Sequence, residues 1–363
     1  MKIPKKIRTL IVGDDWVSTE HLIKAMEDVL KGYDYEITTH TIVMDKPMSR
    51  DKKEDIGDDT VNEYCGTPQE IIDRIDGINL LVTHTAPITK QVIDAGKELV
   101  AIGCCRSDIV NINVDYATEK GIYLFNAPGR SVEPVSDITI TFALTLARNI
   151  LRADEYVKSG RWYRDINRTE PKWDEFYSFR GPVIKGKKFG ILGLGKIGKR
   201  VADKAKGIGF DVQIFDPFLP AGVIDHYGKN CTLEELISTS DFITIHVPPV
   251  ESNQKLIDKK MLGLMKNTAY LINVARGEII DEIALIEALK EKQIAGAALD
   301  VFWKEPLELD SELMKLDNVI LTPHIAGQRY DVSEGSADIL REQMLPFYQE
   351  KSLKTCINMK DIK

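Results

Sequence analysis

The stretch that decides the fold reads Lys185-Gly-Lys-Lys-Phe-Gly-Ile-Leu-Gly-Leu-Gly-Lys-Ile-Gly198. Residues 189–192 are an apolar run, long enough for a buried parallel strand. A helical segment follows to about Gly209, and a second strand at residues 212–215 leads into Asp216. The order strand, glycine-rich turn, helix and second strand predicts a binding site for a dinucleotide.

Each glycine of the Gly-x-Gly-x-x-Gly turn has its own physical role. Gly193 permits the tight turn, Gly195 lets a pyrophosphate approach the backbone, and Gly198 lets the helix pack closely on the strand. The start of the helix offers backbone N–H groups and the positive end of its dipole to phosphates. Asp216, 18 residues after Gly198, can accept both hydroxyls of an adenosine ribose, so the sequence favours NAD over a cofactor with a 2′-phosphate.

Length and composition limit the other possibilities. A chain of 363 residues, 43% hydrophobic and 29% charged, is expected to form a globular protein of two domains. A net charge of −8 without a long basic stripe argues against a nucleic-acid partner. The N-terminus has no apolar signal core and the apolar segment 138–151 is too short for a membrane span, so we expect a cytoplasmic protein with no membrane partner. Five cysteines, an odd number, fit buried thiols, and we predict no metal site.

Short apolar runs alternate with helical segments along the chain, which predicts an α/β fold with parallel sheets. The predicted strands lie at residues 7–12, 35–43, 80–83, 100–104, 189–192, 212–215, 242–246, 269–273, 296–300 and 319–321. The predicted helices include residues 18–30, 68–75, 88–95 and 114–120, and a last helix at 329–349 that returns to the first domain. We expect two doubly wound domains, one formed by residues 1–126 and 328–363 and the other by residues 127–327.

Three further segments have distinctive compositions. Residues 44–63 are charged and rich in turn formers, which predicts a loop. Residues 131–159 are predicted to form one helix, capped by Ser131 and with an apolar first half that is buried between domains or subunits. Residues 161–181 are rich in aromatic side chains, and they either pack on one another in a surface loop or cap the site of a neighbouring subunit.

Three polar clusters follow strands of the second domain, at the sheet edge where open α/β folds bind ligands. They read Ile272-Asn-Val-Ala-Arg-Gly277, Ala298-Leu-Asp-Val-Phe-Trp-Lys-Glu-Pro-Leu307 and Leu321-Thr-Pro-His-Ile-Ala-Gly327. Arg276 can hold a carboxylate through two parallel hydrogen bonds, His324 can exchange a proton near neutral pH, and Glu305 can orient the imidazole. Each residue alone is more often a surface charge or part of a turn, but their shared position predicts a catalytic set.

These clusters, the glycine turn and Asp241-Phe-Ile-Thr-Ile-His-Val-Pro248 resemble the motifs of D-isomer-specific 2-hydroxyacid dehydrogenases, which include phosphoglycerate dehydrogenases and glyoxylate reductases. The resemblance covers about residues 70–345. It implies a Rossmann NAD-binding domain inserted in a flavodoxin-like substrate domain, and a homodimer. It also implies that Arg276 binds the substrate carboxylate, that Glu305 supports His324, and that His324 is the acid/base in the interconversion of a 2-oxo acid and a D-2-hydroxy acid.

Position and resemblance together give two sets of expected binding residues. The cofactor set is Gly193, Gly195, Lys196, Ile197, Gly198, Asp216, His246, Val247, Val274, Ala275, Arg276, Asp300, His324 and Gly327, with Asp300 at the nicotinamide end. The substrate set is Arg106, Ser107, Asp108 and Arg276.

Residues 106–108 depart from the family pattern, in which glycine at this loop turns backbone N–H groups toward the substrate. A side chain of Asp108 that faces the substrate would oppose a second negative charge and accept hydrogen bonds from hydroxyls. That predicts a hydroxylated 2-oxo acid of single charge. Alternatively, Asp108 turns away and caps the following turn.

A second function on the same fold is an NAD(H)-sensing, corepressor-like binding protein, since a corepressor with this fold keeps the Arg, Glu and His. Nothing basic or disordered in the sequence suggests the partners of such a protein, so a small 2-oxo or 2-hydroxy acid is the expected partner. A formate dehydrogenase-like function is weaker still, because that branch lacks the glutamate that Glu305 supplies.

Overall fold

The structure is a computed structural model that describes residues 3–44 and 56–362. It divides into two units: unit 1 consists of the residues up to Arg130 and from Arg329 onward, and unit 2 is Ser131–Gln328. The divisions that we predicted, after residues 126 and 327, lie four residues and one residue before the observed ones. Our interpretation of residues 44–63 as a loop falls mostly on residues 45–55, which lie outside the described residues.

Unit 1 contains a parallel sheet of five strands in the order β2-β1-β3-β4-β5. The strands are β1 (Lys6–Asp14), β2 (Asp34–Ile42), β3 (Leu80–Thr83), β4 (Ala101–Cys104) and β5 (Tyr123–Phe125). All residues of β3 and β4 are buried, as expected for central strands with helices on both faces. The first four strands match the predicted strands to within two residues, whereas the short β5 was not predicted.

The first four helices of unit 1 begin at polar caps, whose side chains accept hydrogen bonds from backbone N–H groups of the first turn. Its first four helices are α1 (Thr19–Val29), α2 (Pro68–Ile72), α3 (Lys90–Ala95) and α4 (Val114–Glu119). The Ser18 hydroxyl accepts a hydrogen bond from the backbone of His21 at the start of α1. Thr67 and Glu70 form a reciprocal capping box at the start of α2.

Unit 2 contains a parallel sheet of seven strands in the order β12-β11-β10-β9-β6-β7-β8. The strands are β6 (Lys188–Leu192), β7 (Asp211–Phe215), β8 (Lys229–Asn230), β9 (Phe242–Ile245), β10 (Tyr270–Asn273), β11 (Gly296–Leu299) and β12 (Val319–Leu321). The six predicted strands are all present, to within one residue. The missed strand, β8, has only two residues and both are polar. The α/β fold class, with the seven-stranded unit inserted in the sequence of the five-stranded one, is therefore confirmed.

Helices flank the sheet of unit 2. They are α5 (Val132–Arg148), α6 (Ile150–Lys158), α7 (Arg161–Ile166), α8 (Asp174–Ser178), α9 (Lys196–Gly207), α10 (Ala221–Tyr227), α11 (Leu233–Thr239), α12 (Lys259–Leu264) and α13 (Glu282–Lys290). Short 3-10 turns lie at Glu251–Asn253, Gly277–Ile279 and Glu312–Lys315.

The prediction of one helix over residues 131–159 was wrong. Asn149 has a φ of 52°, in the left-handed region that asparagine tolerates better than most residues, and it separates α5 from α6. The Ser131 side chain makes no capping hydrogen bond, which corrects its predicted role as well. The apolar side of α5, including Phe142 and Leu146, packs in the core of unit 2.

The aromatic segment at residues 161–181 forms the two short helices α7 and α8. Trp173, Phe176 and Tyr177 contact one another, with ring centroids 5.7–6.1 Å apart. Trp162 and Tyr163 are 49% and 74% exposed. Trp173, Phe176 and Tyr177 therefore pack on one another but stay 41–46% exposed, so aromatic side chains in both halves of the segment face solvent.

The last helix, α14 (Val332–Gln349), packs on α1 in unit 1. Leu340 and Met344 of α14 share a buried core with Leu22 and Met26 of α1. The predicted return of the chain to the first domain is confirmed.

No helix within the described ranges has the length and apolar character needed to cross a membrane. All five cysteines lie in those ranges and are free thiols, and four of them are buried. Across the same residues, no group of three or more His, Cys, Asp or Glu side chains is arranged to hold a metal ion.

Candidate active site

The turn between β6 and α9 is shaped by its three glycines. Gly193 has a φ of +91°, and a Cβ there would lie 2.7 Å from the carbonyl oxygen of His246. A Cβ on Gly198 would lie 2.1 Å from the carbonyl oxygen of Gly193, so close packing alone requires these two glycines. A Cβ on Gly195 would meet no atom of the described residues within 4 Å. The open space beside Gly195, at the start of α9, fits the pyrophosphate of a dinucleotide.

The carboxylate of Asp216 is fixed beside this turn. One oxygen accepts a hydrogen bond from Leu194 N at 2.8 Å, and the other accepts one from Phe218 N at 3.0 Å. Asp216 follows β7, the strand next to β6, so its charge lies where the sequence pattern expects an adenosine ribose.

His246 directly follows β9, and its backbone N–H donates to Leu192 O at 2.7 Å. Its Nε2 lies 3.0 Å from the Thr244 hydroxyl. Burial lowers the pKa of His246 to about 3, so its imidazole is neutral at physiological pH. A neutral ring is suited to line a cofactor site rather than to exchange protons there.

Arg276 lies in a turn after β10 that Asn273 organises. The Asn273 side chain donates to Arg276 O at 2.8 Å and accepts from Ala275 N at 3.1 Å. A Cβ on Gly277 would lie 2.1 Å from the carbonyl carbon of Phe302. The Arg276 turn therefore rests directly on the backbone of the segment that carries Glu305.

Asp300 holds the loop that carries His324. Asp300 is fully buried after β11, and one of its oxygens accepts from the Thr322 hydroxyl at 2.6 Å and from Ile325 N at 2.8 Å. The other oxygen accepts from Ala326 N at 2.8 Å. Sequence reasoning missed this positioning role, and the expected contact of Asp300 with the nicotinamide end stays a prediction.

Glu305 and His324 form the central pair of the site. The Glu305 carboxylate oxygens lie 3.0 and 3.2 Å from His324 Nδ1, and one of them also accepts from Phe302 N at 3.1 Å. The two side chains are only 15% and 28% exposed. His324 has a φ of 55°, a conformation that is uncommon outside glycine and is found where function holds a residue in place. Because a carboxylate only accepts, Nδ1 carries the proton and Nε2 is the ring nitrogen suited to exchange one with a substrate.

The other residues of the predicted cofactor set lie at the same sheet edge, where strands β12, β11, β10, β9 and β6 end side by side. Lys196 and Ile197 begin α9, Val247 follows His246, Val274 and Ala275 precede Arg276, and Gly327 follows the His324 loop.

The loop after β4 carries the predicted substrate residues of unit 1. Arg106 is buried, and its guanidinium pairs with the Glu63 carboxylate and donates to Glu63 O at 2.6 Å. Asp108 is exposed, and its side chain makes no hydrogen bond with the described residues. The capping alternative for Asp108 therefore has no hydrogen bond to support it, and a contact of Asp108 with substrate stays a prediction.

Sequence reasoning found no partner for His84, but the structure buries it against Asp14. His84 Nδ1 lies 2.8 Å from Asp14 Oδ2, which also accepts from the Thr85 hydroxyl at 2.6 Å. Burial alone would raise the pKa of Asp14, but the hydrogen bonds and the interaction with His84 lower it overall. The signal that could have revealed this pair is position, because Asp14 ends β1, His84 follows β3, and these strands are neighbours.

Comparison with known proteins identifies the family. The NAD binding domain of D-isomer specific 2-hydroxyacid dehydrogenases matches residues 140–326, just over half of the chain. A glyoxylate reductase from Pyrococcus horikoshii is 36% identical over 299 residues, which are 82% of this chain and 88% of that protein. A D-3-phosphoglycerate dehydrogenase from Methanocaldococcus jannaschii is 36% identical over 299 residues, but the match covers 55% of its length, so this chain spans about half of that relative.

Solved structures share the fold. D-2-hydroxyisocaproate dehydrogenase superposes with a TM-score of 0.76 at 21% identity, over 96% of this chain and 99% of that one. An acyclic imino acid reductase in complex with NADPH and D-Arg superposes with a TM-score of 0.71 at 24% identity, over 97% of this chain and 99% of that one. The chain therefore belongs to the D-isomer-specific 2-hydroxyacid dehydrogenase family and is an NAD(P)-binding oxidoreductase.

Proposed function

We propose that the protein interconverts a 2-oxo acid and a D-2-hydroxy acid with NAD(H) as cofactor. The observation that carries the proposal is the Glu305–His324 pair, held by Asp300 next to the Arg276 turn. An acid/base, a group that orients it and an arginine for a carboxylate are the protein groups that this reaction requires.

Each side chain has one task in the proposed reduction. His324 donates a proton from Nε2 to the carbonyl oxygen of the 2-oxo acid, and in the reverse direction it takes the proton from the hydroxyl. Glu305 holds Nδ1–H and stabilises the protonated imidazole. Arg276 binds the carboxylate and so fixes the orientation of C2. The bound cofactor supplies the hydride for reduction and accepts it in oxidation.

We propose NAD(H) rather than NADP(H), although one structural neighbour is recorded with NADPH. Residues 193–198 would hold the pyrophosphate, and Asp216 would hold the adenosine ribose. Two backbone N–H groups pin the Asp216 carboxylate in place, so it would repel a 2′-phosphate rather than move aside. Catalytic efficiency should be at least about tenfold higher with NADH than with NADPH, which corresponds to about 1.4 kcal/mol. Equal efficiency with the two cofactors would contradict this part of the proposal.

The experiment that tests the function is a panel of 2-oxo acids, including glyoxylate, hydroxypyruvate and 2-oxoglutarate, assayed by NADH oxidation and followed by chiral analysis of the product. Reduction of at least one of them to the D-2-hydroxy acid is expected. NADH binding without turnover of any 2-oxo acid would favour the NAD(H)-sensing alternative instead.

The proposal includes a homodimer in the cytoplasm. Ile150 and Leu151 of α6 are each 53% exposed and Trp162 of α7 is 49% exposed, and large apolar side chains that face solvent are typical of an interface. Light scattering coupled to size exclusion should give twice the chain mass of 40.9 kDa. A monomer at micromolar concentration would contradict the dimer and leave the reaction untouched.

A further inference from the structure

Two loops of unit 2 carry predicted catalytic side chains, and they follow neighbouring strands. Arg276 lies in the loop after β10, and Glu305 lies in the loop after β11. The two strands pair in parallel up to Asn273, and the backbone N–H of Asp300 extends the pairing by donating to Asn273 O at 3.0 Å. Beyond this point the strands end, so the spacing of the two loops depends on other contacts.

The indole of Trp303 connects the two loops directly. Its Nε1–H donates to Ile280 O at 2.6 Å, four residues after Arg276. Ile280 is buried, whereas Trp303 is 37% exposed. Because the indole has a single polar atom, this hydrogen bond fixes the orientation of the ring against the Arg276 loop.

The backbone beside Trp303 packs against the same turn. A Cβ on Gly277 would lie 2.2 Å from Phe302 O and 2.4 Å from Trp303 N. Phe302 N also donates to the Glu305 carboxylate at 3.1 Å, and that carboxylate lies 3.0 Å from His324 Nδ1. A shift of residues 302–303 away from Gly277 would therefore be passed on to Glu305 and to His324.

Charged side chains also hold Trp303 in place. The Lys255 ammonium lies over the indole, 5.8 Å from the ring centroid, and it pairs with the Asp281 carboxylate at 3.1 Å. Burial raises the pKa of the Glu282 carboxyl, and a hydrogen bond with the Trp303 backbone opposes that rise. Asp281 and Glu282 directly follow Ile280, so these contacts strengthen the connection that the indole N–H makes.

We propose that Trp303 is a positioning residue, whose indole N–H sets the spacing between the Arg276 turn and the Glu305–His324 pair. A 2-oxo acid held by Arg276 must place its carbonyl oxygen at His324 Nε2, and a misplacement of about 1 Å between reacting groups costs about 100-fold in rate. Trp303 exchanges no proton itself and acts only through the two loops. The positioning role rests on the proposed function, whereas the connection between the loops does not.

Two substitutions separate the N–H of Trp303 from its bulk. Trp303→Phe keeps an aromatic ring but removes the donor. Trp303→His keeps a five-membered ring whose Nε2 lies two bonds from Cγ, as indole Nε1 does, so it retains a donor at that place. With glyoxylate and NADH, Trp303→Phe should lower kcat/KM at least about tenfold, mostly through kcat, because alignment rather than binding is lost. Trp303→His should recover most of that loss.

The pH profile and a matched control exclude a merely structural role. Trp303→Phe introduces no titratable group, yet it should shift the pH profile of reduction to lower pH, because the Glu305 carboxylate moves away from the imidazole. Its Kd for NADH should stay within about twofold of wild type. Its melting temperature should fall by about 2–4 °C, the change expected for one hydrogen bond. Trp173→Phe is the control, since Trp173 is 41% exposed in the aromatic segment, and it should change neither kcat/KM nor the pH profile.

Several results would overturn the proposal. One is a kcat/KM for Trp303→Phe within about twofold of wild type. Another is an equal loss in Trp303→His, which would mean that the bulk of the indole matters and its N–H does not. An equal loss in Trp173→Phe, an unchanged pH profile, or a loss of NADH affinity as large as the loss of kcat/KM would count against it in the same way.

Hydrogen exchange of the full chain, read by mass spectrometry, tests the connection without any substrate. Trp303→Phe should speed exchange at least about fivefold in the peptides that cover residues 276–280 and 301–305, and Trp303→His should restore it. Unchanged exchange in both peptides would show that the indole does not connect the loops. If wild type reduces no 2-oxo acid but both peptides respond, the proposed function and the positioning role fail while the connection stands. If 2-oxo acids are reduced but neither kcat/KM nor exchange responds to Trp303→Phe, the reaction stands and the role of Trp303 does not.

Discussion

Replacing Gly195 by alanine isolates the part of the glycine turn that exists for a ligand. Gly193 and Gly198 are required by the protein itself, since a Cβ at either would overlap backbone atoms at 2.7 and 2.1 Å. Gly195 has a φ of −69° and a ψ of −166°, which alanine adopts readily, and its missing Cβ faces open space within the described residues. Nothing in the fold of unit 2 therefore explains why this position is glycine, whereas a pyrophosphate lying against the backbone would.

The expected magnitudes follow from these environments. Gly195→Ala reduces the freedom of the unfolded chain, which stabilises the folded protein by about 0.4–1 kcal/mol. The change also loses some of the advantage of glycine at a helix N-cap. Because the two effects oppose each other, the free energy of unfolding should change by less than about 1 kcal/mol. NADH binding should weaken by about 1.5–3 kcal/mol, or roughly 10- to 150-fold, because the Cβ blocks the charge-assisted hydrogen bonds from the turn. Gly198→Ala should instead destabilise unit 2 by about 1–3 kcal/mol or more, because a backbone oxygen lies in the way.

Two measurements on the same protein samples test this reasoning. The Kd for NADH comes from fluorescence titration, and the free energy of unfolding comes from denaturant titration. Gly207→Ala is the matched control, because Gly207 lies at the other end of α9 and a Cβ there also meets no atom of the described residues within 4 Å. Unchanged NADH affinity in Gly195→Ala would refute the assignment of the turn, and so would an equal loss of affinity in Gly207→Ala.

Four further predictions concern titratable side chains. His324→Ala should keep NADH binding but lose turnover at least about 100-fold. Glu305→Gln should shift the pH profile of reduction to lower pH, because the protonated imidazole loses its carboxylate partner. An unchanged pH profile would remove Glu305 from this role. Burial lowers the pKa of His246 to about 3, which is below its value in the unfolded chain. The contribution of His246 to the free energy of unfolding is therefore complete above about pH 6.5. Below that pH the contribution falls by up to about 1.4 kcal/mol per pH unit, because the unfolded chain binds the proton more tightly. Denaturant titrations at neutral and mildly acidic pH should therefore give a shallower pH dependence for His246→Asn, and equal slopes would contradict the burial argument. If Asp108 faces the substrate, Asp108→Gly should lose catalytic efficiency with a hydroxylated 2-oxo acid and gain it with 2-oxoglutarate. Parallel changes in efficiency with these two acids and with glyoxylate would mean that Asp108 only supports the loop.

The sequence predicted the strands well because most are short apolar runs that parallel sheets bury on both faces. The runs at 80–83 and 319–321 match β3 and β12 to the residue. The errors lie where tertiary structure overrides local pattern. Nothing in the apolar periodicity of residues 131–159 indicates that Asn149 adopts a left-handed conformation and ends α5, and β8 exists only because Lys229 and Asn230 pair with β7.

The candidate site was predictable in its parts but not in its internal contacts. Residue type and position after adjacent strands sufficed to place Arg276, Glu305 and His324 in one group. The role of Asp300 was not predictable in the same way, because a carboxylate after a strand can face a ligand or hold a loop. The structure gives it three donors from the His324 loop, which are contacts that depend on how β11 and β12 align.

The Asp14–His84 pair in unit 1 was hidden for a different reason. Asp14 and His84 are 70 residues apart and become neighbours only because β3, not β2, pairs with the inner side of β1. A buried carboxylate with an imidazole and a hydroxyl as donors would, by itself, be a satisfied structural network. Arg130 fits that conclusion, because its guanidinium lies 3.2 Å from Nε2 of His84 and the Asp14 carboxylate at the other end of the network balances its charge.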